Sequence, residues 1–181
     1  SALGRPGDNK TCYSRAFERI YPRVKPEARS DAIVILGACQ TEEFPLEALI
    51  KYTINNTALI RRTAQAIKGL PFDRVARALS SRVSTSPLAL KTKTKEEQNS
   101  VTTLLFACAD ANAGSLAVEA FKSEATGGLS EERMAFALRL LAAAIANTGS
   151  AELKKQLSEI AQAAPTDATR SLAAKLLTSG Q

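Results

Sequence analysis

The sequence predicts an all-α domain of about ten short helices packed in antiparallel pairs. From residue 11 onward, apolar residues recur at helical spacing nearly everywhere, and no segment alternates convincingly as a β-strand would. Alanine and leucine supply most of the apolar surface, and both residues favour helix and close helix packing. Hydrophobic residues make up 45% of the 181-residue chain, which is enough to bury a core.

The apolar pattern sets the order of the elements along the chain. Residues 1–10 are predicted to form a flexible tail, and residues 11–181 a single all-α domain. We predict helices over residues 11–21, 27–39, 45–54, 57–69, 71–83, 97–111, 114–124, 131–147, 150–163 and 166–178.

Several of these helices have boundary residues of a recognisable kind. Pro26, Pro45 and Pro71 stand at or just before first turns, where a missing N–H costs little. Ser130 precedes two glutamates, so its hydroxyl is expected to cap a helix whose first turn favours negative charge. The helix over residues 131–147 is apolar on nearly all sides, which predicts that it is packed on nearly all sides.

One segment interrupts the helical pattern. Residues 84–95 contain Pro87 and lack an apolar stripe, which predicts the longest loop of the chain and a point at which the domain could subdivide. The Ser-Thr-Ser run before Pro87 is expected to be exposed. Phosphate added there would place negative charge beside basic residues, and the alternative is an ordinary polar loop.

Consecutive short helices joined by tight turns suggest an α-solenoid. Residues 165–177 carry Asp167, Arg170 and a following run of small apolar residues, and residues 25–33 and 57–64 share this pattern loosely. These segments resemble the second helix of HEAT-type repeats. The resemblance implies an extended curved surface that grips proteins or nucleic-acid backbones and does no chemistry. The spacing between the segments is irregular, so an irregular helical bundle is the alternative architecture.

Residues on which enzymes and metal sites depend are scarce. The chain has no His and three cysteines without a CxxC pair, which argues against Cys/His zinc sites and removes the commonest general base. Phosphate-binding glycine motifs and the nucleophile-elbow motif do not occur. No apolar run reaches the roughly 18 residues that a membrane span needs. We therefore expect a protein that is not an enzyme and that uses no cofactor or metal.

The cysteines bear on the cellular compartment. Cys108 lies on an apolar stripe, so a buried thiol is expected. Cys12 and Cys39 flank a proline-containing segment, and they would meet if that segment turned two antiparallel helices. A Cys12–Cys39 disulfide would indicate an exported protein. Two reduced thiols in a cytoplasmic protein are the favoured alternative.

The only strong functional signal is the distribution of charge. Residues 61–95 hold nine basic residues and one acid, a net charge of +8, whereas the whole chain has +6. The helices over residues 57–69 and 71–83 are expected to be neighbours whose exposed faces merge into one cationic surface. The residues expected to contact a partner are Arg61, Arg62, Arg74, Arg77, Arg82, Lys91, Lys93 and Lys95.

The partner that we expect is an acidic protein surface, because arginine forks match carboxylates and a positive field steers their approach. Non-specific binding of a nucleic-acid backbone is the alternative, although stacking aromatics and a polar recognition helix are missing. A solvated face without a ligand, an anionic lipid, and docking as a structural subunit of a larger assembly are further interpretations. The sequence therefore predicts a non-enzymatic helical scaffold or adaptor.

Overall fold

The computed structural model describes residue 17 and residues 19–38, 44–128 and 130–179. Within these ranges the chain forms nine α-helices and one two-stranded sheet, which confirms the prediction of an all-α fold class. The helices are α1 (Arg29–Gly37), α2 (Leu46–Thr53), α3 (Thr57–Ile67), α4 (Phe72–Ala78), α5 (Lys95–Ala107), α6 (Ala111–Ser123), α7 (Glu131–Thr148), α8 (Ala151–Ala163) and α9 (Asp167–Ser179).

The helix boundaries follow local chemistry as expected. Ser130 Oγ accepts a hydrogen bond from the Arg133 backbone N–H, and Ser150 Oγ accepts one from Leu153, so both serines cap the helices that follow them. The predicted tail and most of the helix predicted over residues 11–21 lie outside the described residues.

The segment after α4 departs from the prediction. The helix ends at Ala78, and strands β1 (Val83–Thr85) and β2 (Leu88–Leu90) then form an antiparallel hairpin in which Val83 faces Leu90. The prediction of a loop without strands over residues 84–95 is therefore wrong for the first half of that segment. Strands of three residues are too short for an alternating pattern to be recognised in the sequence.

The helices pack in two rows. From α1 to α9, each odd-numbered helix contacts the next odd-numbered helix, and from α2 to α8 each even-numbered helix contacts the next even-numbered one. These sets are called the odd row and the even row below. The rows are joined by extensive contacts within the pairs α2/α3, α4/α5, α6/α7 and α8/α9.

The helices α3 and α4 lie in different rows. They are not among the pairs of elements that pack extensively, because the turn through Gly69 and Pro71 sends the chain from the odd row to the even row. Gly69 has a φ of 94°, a left-handed conformation that glycine adopts without strain. The expectation that these two helices are packed neighbours with merged faces is therefore wrong.

Two glycines, one in each row, lie where neighbouring helices of that row approach closely. A Cβ atom on Gly37 of α1 would lie 2.6 Å from the Cα atom of Ala66 in α3. A Cβ atom on Gly114 of α6 would collide with the side chain of Leu153 in α8. The contact at Gly37 is with backbone and requires a residue without a side chain, whereas the contact at Gly114 is with the flexible end of Leu153, which can shift.

Side chains link three successive turns at one end of the rows, namely those between α3 and α4, between α5 and α6, and between α7 and α8. Cys108 Sγ donates to Ile67 O at 3.1 Å, and Asp110 Oδ2 accepts from the Phe72 backbone N–H at 3.1 Å. Asn147 Nδ2 donates to two backbone carbonyls at the end of α5 and just after it, at 2.9 and 3.0 Å. The partners are 38 or 41 residues apart in every case, so the turns recur at a nearly constant spacing.

The helix α7 lies at the centre of the C-terminal half. It contacts α5, α6, α8, α9 and β2, and its residues Met134, Leu138 and Leu141 have no exposed surface. The prediction that this helix is packed on nearly all sides is confirmed. Its remaining exposed stripe, which includes Arg139, lies on the outer side of the odd row.

Candidate partner-binding surface

The eight basic residues predicted to bind a partner do not form one surface. Arg61 and Arg62 are exposed on α3 in the odd row, whereas Arg77 is exposed on α4 in the even row. Each row is backed by the other, so their exposed faces point in opposite directions. A single partner surface cannot contact both groups at once unless it wraps around an edge.

Two of the predicted arginines are engaged inside the molecule. Arg74 is half-buried, and its Nη2 donates to Phe44 O at 2.9 Å, which ties α4 to the segment before α2. Arg82 Nε donates to Glu97 Oε1 at 2.7 Å and forms an ion pair with that carboxylate. Both guanidinium groups hold parts of the fold together and have less capacity for a partner.

Glu97 organises the connection into α5. Its Oε2 accepts a hydrogen bond from the Lys93 backbone N–H at 2.9 Å, and its Oε1 accepts the one from Arg82. The Lys93 N–H first, and then the Arg82 guanidinium, lower the pKa of Glu97 below its ordinary value. The side chains of Lys91 and Lys93 are exposed in this connection, and Lys95 follows as the first residue of α5.

A cleft of about 700 Å³ opens between α5 and α7 beside β2. Lys95, Gln98, Asn99 and Thr102 line its α5 wall at the spacing of one helix face. This space is called the α5–α7 cleft below.

The α7 wall of the α5–α7 cleft carries charges of both signs. Glu132, Arg133 and Arg139 line it, and the Arg133 Nη1 is paired with Glu124 Oε1 at 2.9 Å. Lys95 and Arg139 have no ion-pair or hydrogen-bond partner for their side chains among the described residues. The cleft therefore offers two available cations, one on each wall, and one exposed acid.

The floor of the α5–α7 cleft is apolar. Phe136 of α7 is 8% exposed and stacks on Phe106 of α5 with ring centroids 6.0 Å apart. Leu88 of β2 also reaches the cleft and is buried against the core. The hairpin thus covers one side of the junction between α5 and α7.

The local charge neighbourhood differs between the rows. In every even-row helix an acid lies three or four residues from a base, as Glu47 does from Lys51 and Asp73 from Arg77. In the odd-row helices, four cations have no acid within four residues along the chain, namely Arg61, Arg62, Arg139 and Lys175. Lys95 is followed directly by Glu96 and Glu97, but neither of these acids forms an ion pair with it.

The sequence analysis identified Arg61, Arg62 and Lys95 as candidate contacts and missed Arg139. Arg139 lies outside the basic window, and its significance depends on the adjacency of α5 and α7, which the sequence does not show. Gln98, Asn99 and Thr102 were missed for the same reason. Their spacing along α5 was a visible signal, but polar helix faces are common.

The cysteines that the structure describes add no reactive group. Cys108 is buried, and burial, followed by the nearby Asp110 carboxylate, raises the pKa of its thiol to about 12. The thiol therefore stays protonated and serves as a hydrogen-bond donor. Cys12 and Cys39 lie outside the described residues.

Comparison with protein-family models, curated protein sequences and solved structures gave no match to this chain. Among the described residues, no helix combines the length and the apolar character that crossing a membrane requires. The same residues contain no group of three or more His, Cys, Asp or Glu side chains arranged to hold a metal ion.

Proposed function

We propose that the chain is a non-enzymatic α-helical repeat scaffold that binds an acidic partner protein through the odd row. The observation that carries this proposal is a set of exposed odd-row cations: Arg61, Arg62 and Arg139, which have no acid within four residues along the chain, and Lys95, which has no ion-pair partner among the described residues. A cation that its own helix does not neutralise retains its capacity for a carboxylate of a partner.

The packing supports a repeat architecture of the HEAT type. In a solenoid each unit contacts its neighbours in two rows, and HEAT-type units are about 40–47 residues long. The odd and even rows have this pattern of contacts, and the hydrogen bonds between turns recur at 38 and 41 residues. Proteins of this architecture use their long surfaces for binding.

A nucleic-acid backbone is the second candidate partner, because it too is anionic. Two observations favour a protein. Glu131 and Glu132 are exposed at the start of α7, where they would repel a backbone that is charged at every nucleotide, whereas a protein can present neutral residues there. Phe106, a half-buried aromatic of the odd row, is occupied by its stack with Phe136, so it is not free to stack on bases.

The test compares charge reversal on the two rows. The variant Arg61→Glu/Arg62→Glu changes the odd row, and Lys51→Glu/Arg77→Glu changes the even row by the same net charge. Binding of immobilised protein to poly-L-glutamate is measured by biolayer interferometry over a range of salt concentrations. We expect the odd-row variant to lose about tenfold in affinity, and the even-row variant to keep nearly all of it.

Duplex DNA is the second analyte in the same experiment. If DNA binds more tightly than poly-L-glutamate and only DNA binding depends on Arg61 and Arg62, the chain is a nucleic-acid binder. If the two double variants lose the same affinity for poly-L-glutamate, net charge alone explains binding and the odd row has no special role.

A further inference from the structure

We propose that the α5–α7 cleft seats an extended acidic segment of the partner, with carboxylates on Lys95 and Arg139. This inference rests on the proposed function, because it specifies which part of the odd row takes the partner and in which conformation. It adds that recognition includes the backbone of the bound segment as well as its charge.

The available cations of the cleft stand on opposite walls. Lys95 belongs to α5 and Arg139 to α7, and neither side chain has a partner among the described residues. Arg133 also lines the cleft, but Glu124 holds it at 2.9 Å. A segment that lies between the walls can place one carboxylate on each available cation without breaking an internal ion pair.

The size of the cleft favours a short extended chain over a helix. The helices α5 and α7 pack against each other as neighbours in the odd row, so the cleft is a groove along their junction and not a gap between them. Its volume of about 700 Å³ is that of a pocket for a small ligand, so it holds only a few residues of a chain. A helix is about 10–12 Å in diameter with its side chains, whereas a single extended segment is narrower and can lie along such a groove.

The α5 wall offers hydrogen-bonding groups to a peptide backbone. The side chains of Gln98, Asn99 and Thr102 line the cleft, and they have no hydrogen-bond partner among the described residues. An amide side chain both donates and accepts hydrogen bonds, as a peptide group does. An extended segment exposes a peptide group at every residue, which these side chains can pair along successive helical turns.

The same features disfavour a nucleic acid in the cleft. Glu132 is exposed at its edge and repels phosphate. Phe136 is only 8% exposed, so the floor offers no aromatic face for base stacking. A peptide can avoid the repulsion from Glu132, because it can place neutral residues beside that carboxylate and keep its own carboxylates for Lys95 and Arg139, whereas every nucleotide carries a phosphate.

The experiment measures fluorescence anisotropy of a short fluorescein-labelled peptide that alternates glutamate and threonine, added to the full chain. Lys95→Glu/Arg139→Glu removes both cations of the cleft, and Asn99→Trp fills its volume without changing the charge. Lys51→Glu/Arg77→Glu on the even row is the control of equal net charge. Circular dichroism and urea unfolding verify that each variant is folded.

We expect the cleft double variant and Asn99→Trp each to weaken peptide binding by about tenfold, and the even-row control to leave it within about twofold. If Arg61→Glu/Arg62→Glu weakens binding but neither cleft variant does, the inference fails while the proposed function stands. If the even-row control weakens binding as much as the odd-row variants do, both fail. A labelled oligonucleotide that competes for the cleft more strongly than the peptide would also overturn the inference.

Discussion

The odd and even rows use the same residue types in different arrangements. On the even row, Glu47 lies four residues before Lys51, and Lys155 forms an ion pair of 3.9 Å with Glu159. Such pairs at one-turn spacing partly satisfy each other within the helix. On the odd row, α3 has two arginines and no acid at all. The comparison teaches that the local spacing of charges, more than their number, decides which surface remains available to a partner.

The acids of the odd row stabilise the starts of helices and do not pair with bases in later turns. In α1, α5, α7 and α9 every acid lies in the first turn, where it complements the positive end of the helix dipole. Two of them are also bound to other groups: Glu97 to Arg82, and Asp167 to Arg170 at 3.0 Å. The later turns of these helices therefore carry no negative charge.

The largest effect on the free energy of unfolding is expected from substituting the glycine at the closest helix contact within each row. Gly37→Ala places a methyl group against the backbone of Ala66, which cannot move aside, and should lower the free energy of unfolding by about 2 kcal/mol. Gly114→Ala meets the flexible end of Leu153 and gains about 1 kcal/mol of helix propensity, so its net effect should be much smaller.

Urea unfolding of Gly37→Ala and Gly114→Ala measures this difference. Equal losses in the two variants would show that the odd row is no more tightly limited by backbone contact than the even row.

The next largest effect on stability is expected from the hydrogen bonds that join neighbouring turns. Asn147→Ala leaves two carbonyls without their donor and should lower the free energy of unfolding by about 1–2 kcal/mol. Asn112→Ala is the matched control, because Asn112 is exposed near the start of α6 and its side chain makes no described contact. Thermal unfolding checks the pair, and a control as unstable as Asn147→Ala would contradict the assigned role.

A smaller effect is expected from giving an odd-row helix the charge spacing of the even row, with an acid three or four residues from a base. Gln65→Glu places an acid four residues after Arg61 and three after Arg62. The new pair should stabilise α3 by about 0.3 kcal/mol and lower the affinity for poly-L-glutamate by about twofold to threefold. The measurements are urea unfolding and biolayer interferometry. An unchanged or higher affinity would show that local pairing does not control availability.

The smallest effect is a pH dependence at Glu97. Because its pKa is lowered in the folded protein, its bonds contribute stability above the ordinary glutamate pKa and lose it as the pH falls through the lowered pKa. Glu97→Gln should therefore be slightly less stable than the wild type at pH 7, and the gap should close on acidification below about pH 4. If the difference in stability between Glu97→Gln and the wild type grew at acid pH, the lowered pKa of Glu97 would be contradicted.

Much of the fold was predictable because the signals are local. Ser130 and Ser150 cap the helices that follow them, and these bonds span three residues. The central position of α7 followed from apolar residues on nearly all its sides. The hairpin formed by β1 and β2 was not predictable, because its residues are held by pairing across a turn and by contacts with α6 and α7.

The sequence by itself determined the helices, their caps and the concentration of positive charge, because helix formation and charge depend on residues within a turn or two of each other. The tertiary structure decided which of the cations are engaged by distant residues and which lie around one cleft. Arg74 donates to a carbonyl 30 residues away, whereas Arg139 and Lys95 line opposite walls of one cleft. Contacts between distant residues depend on how the rows are assembled, and no pattern within one helix specifies that assembly.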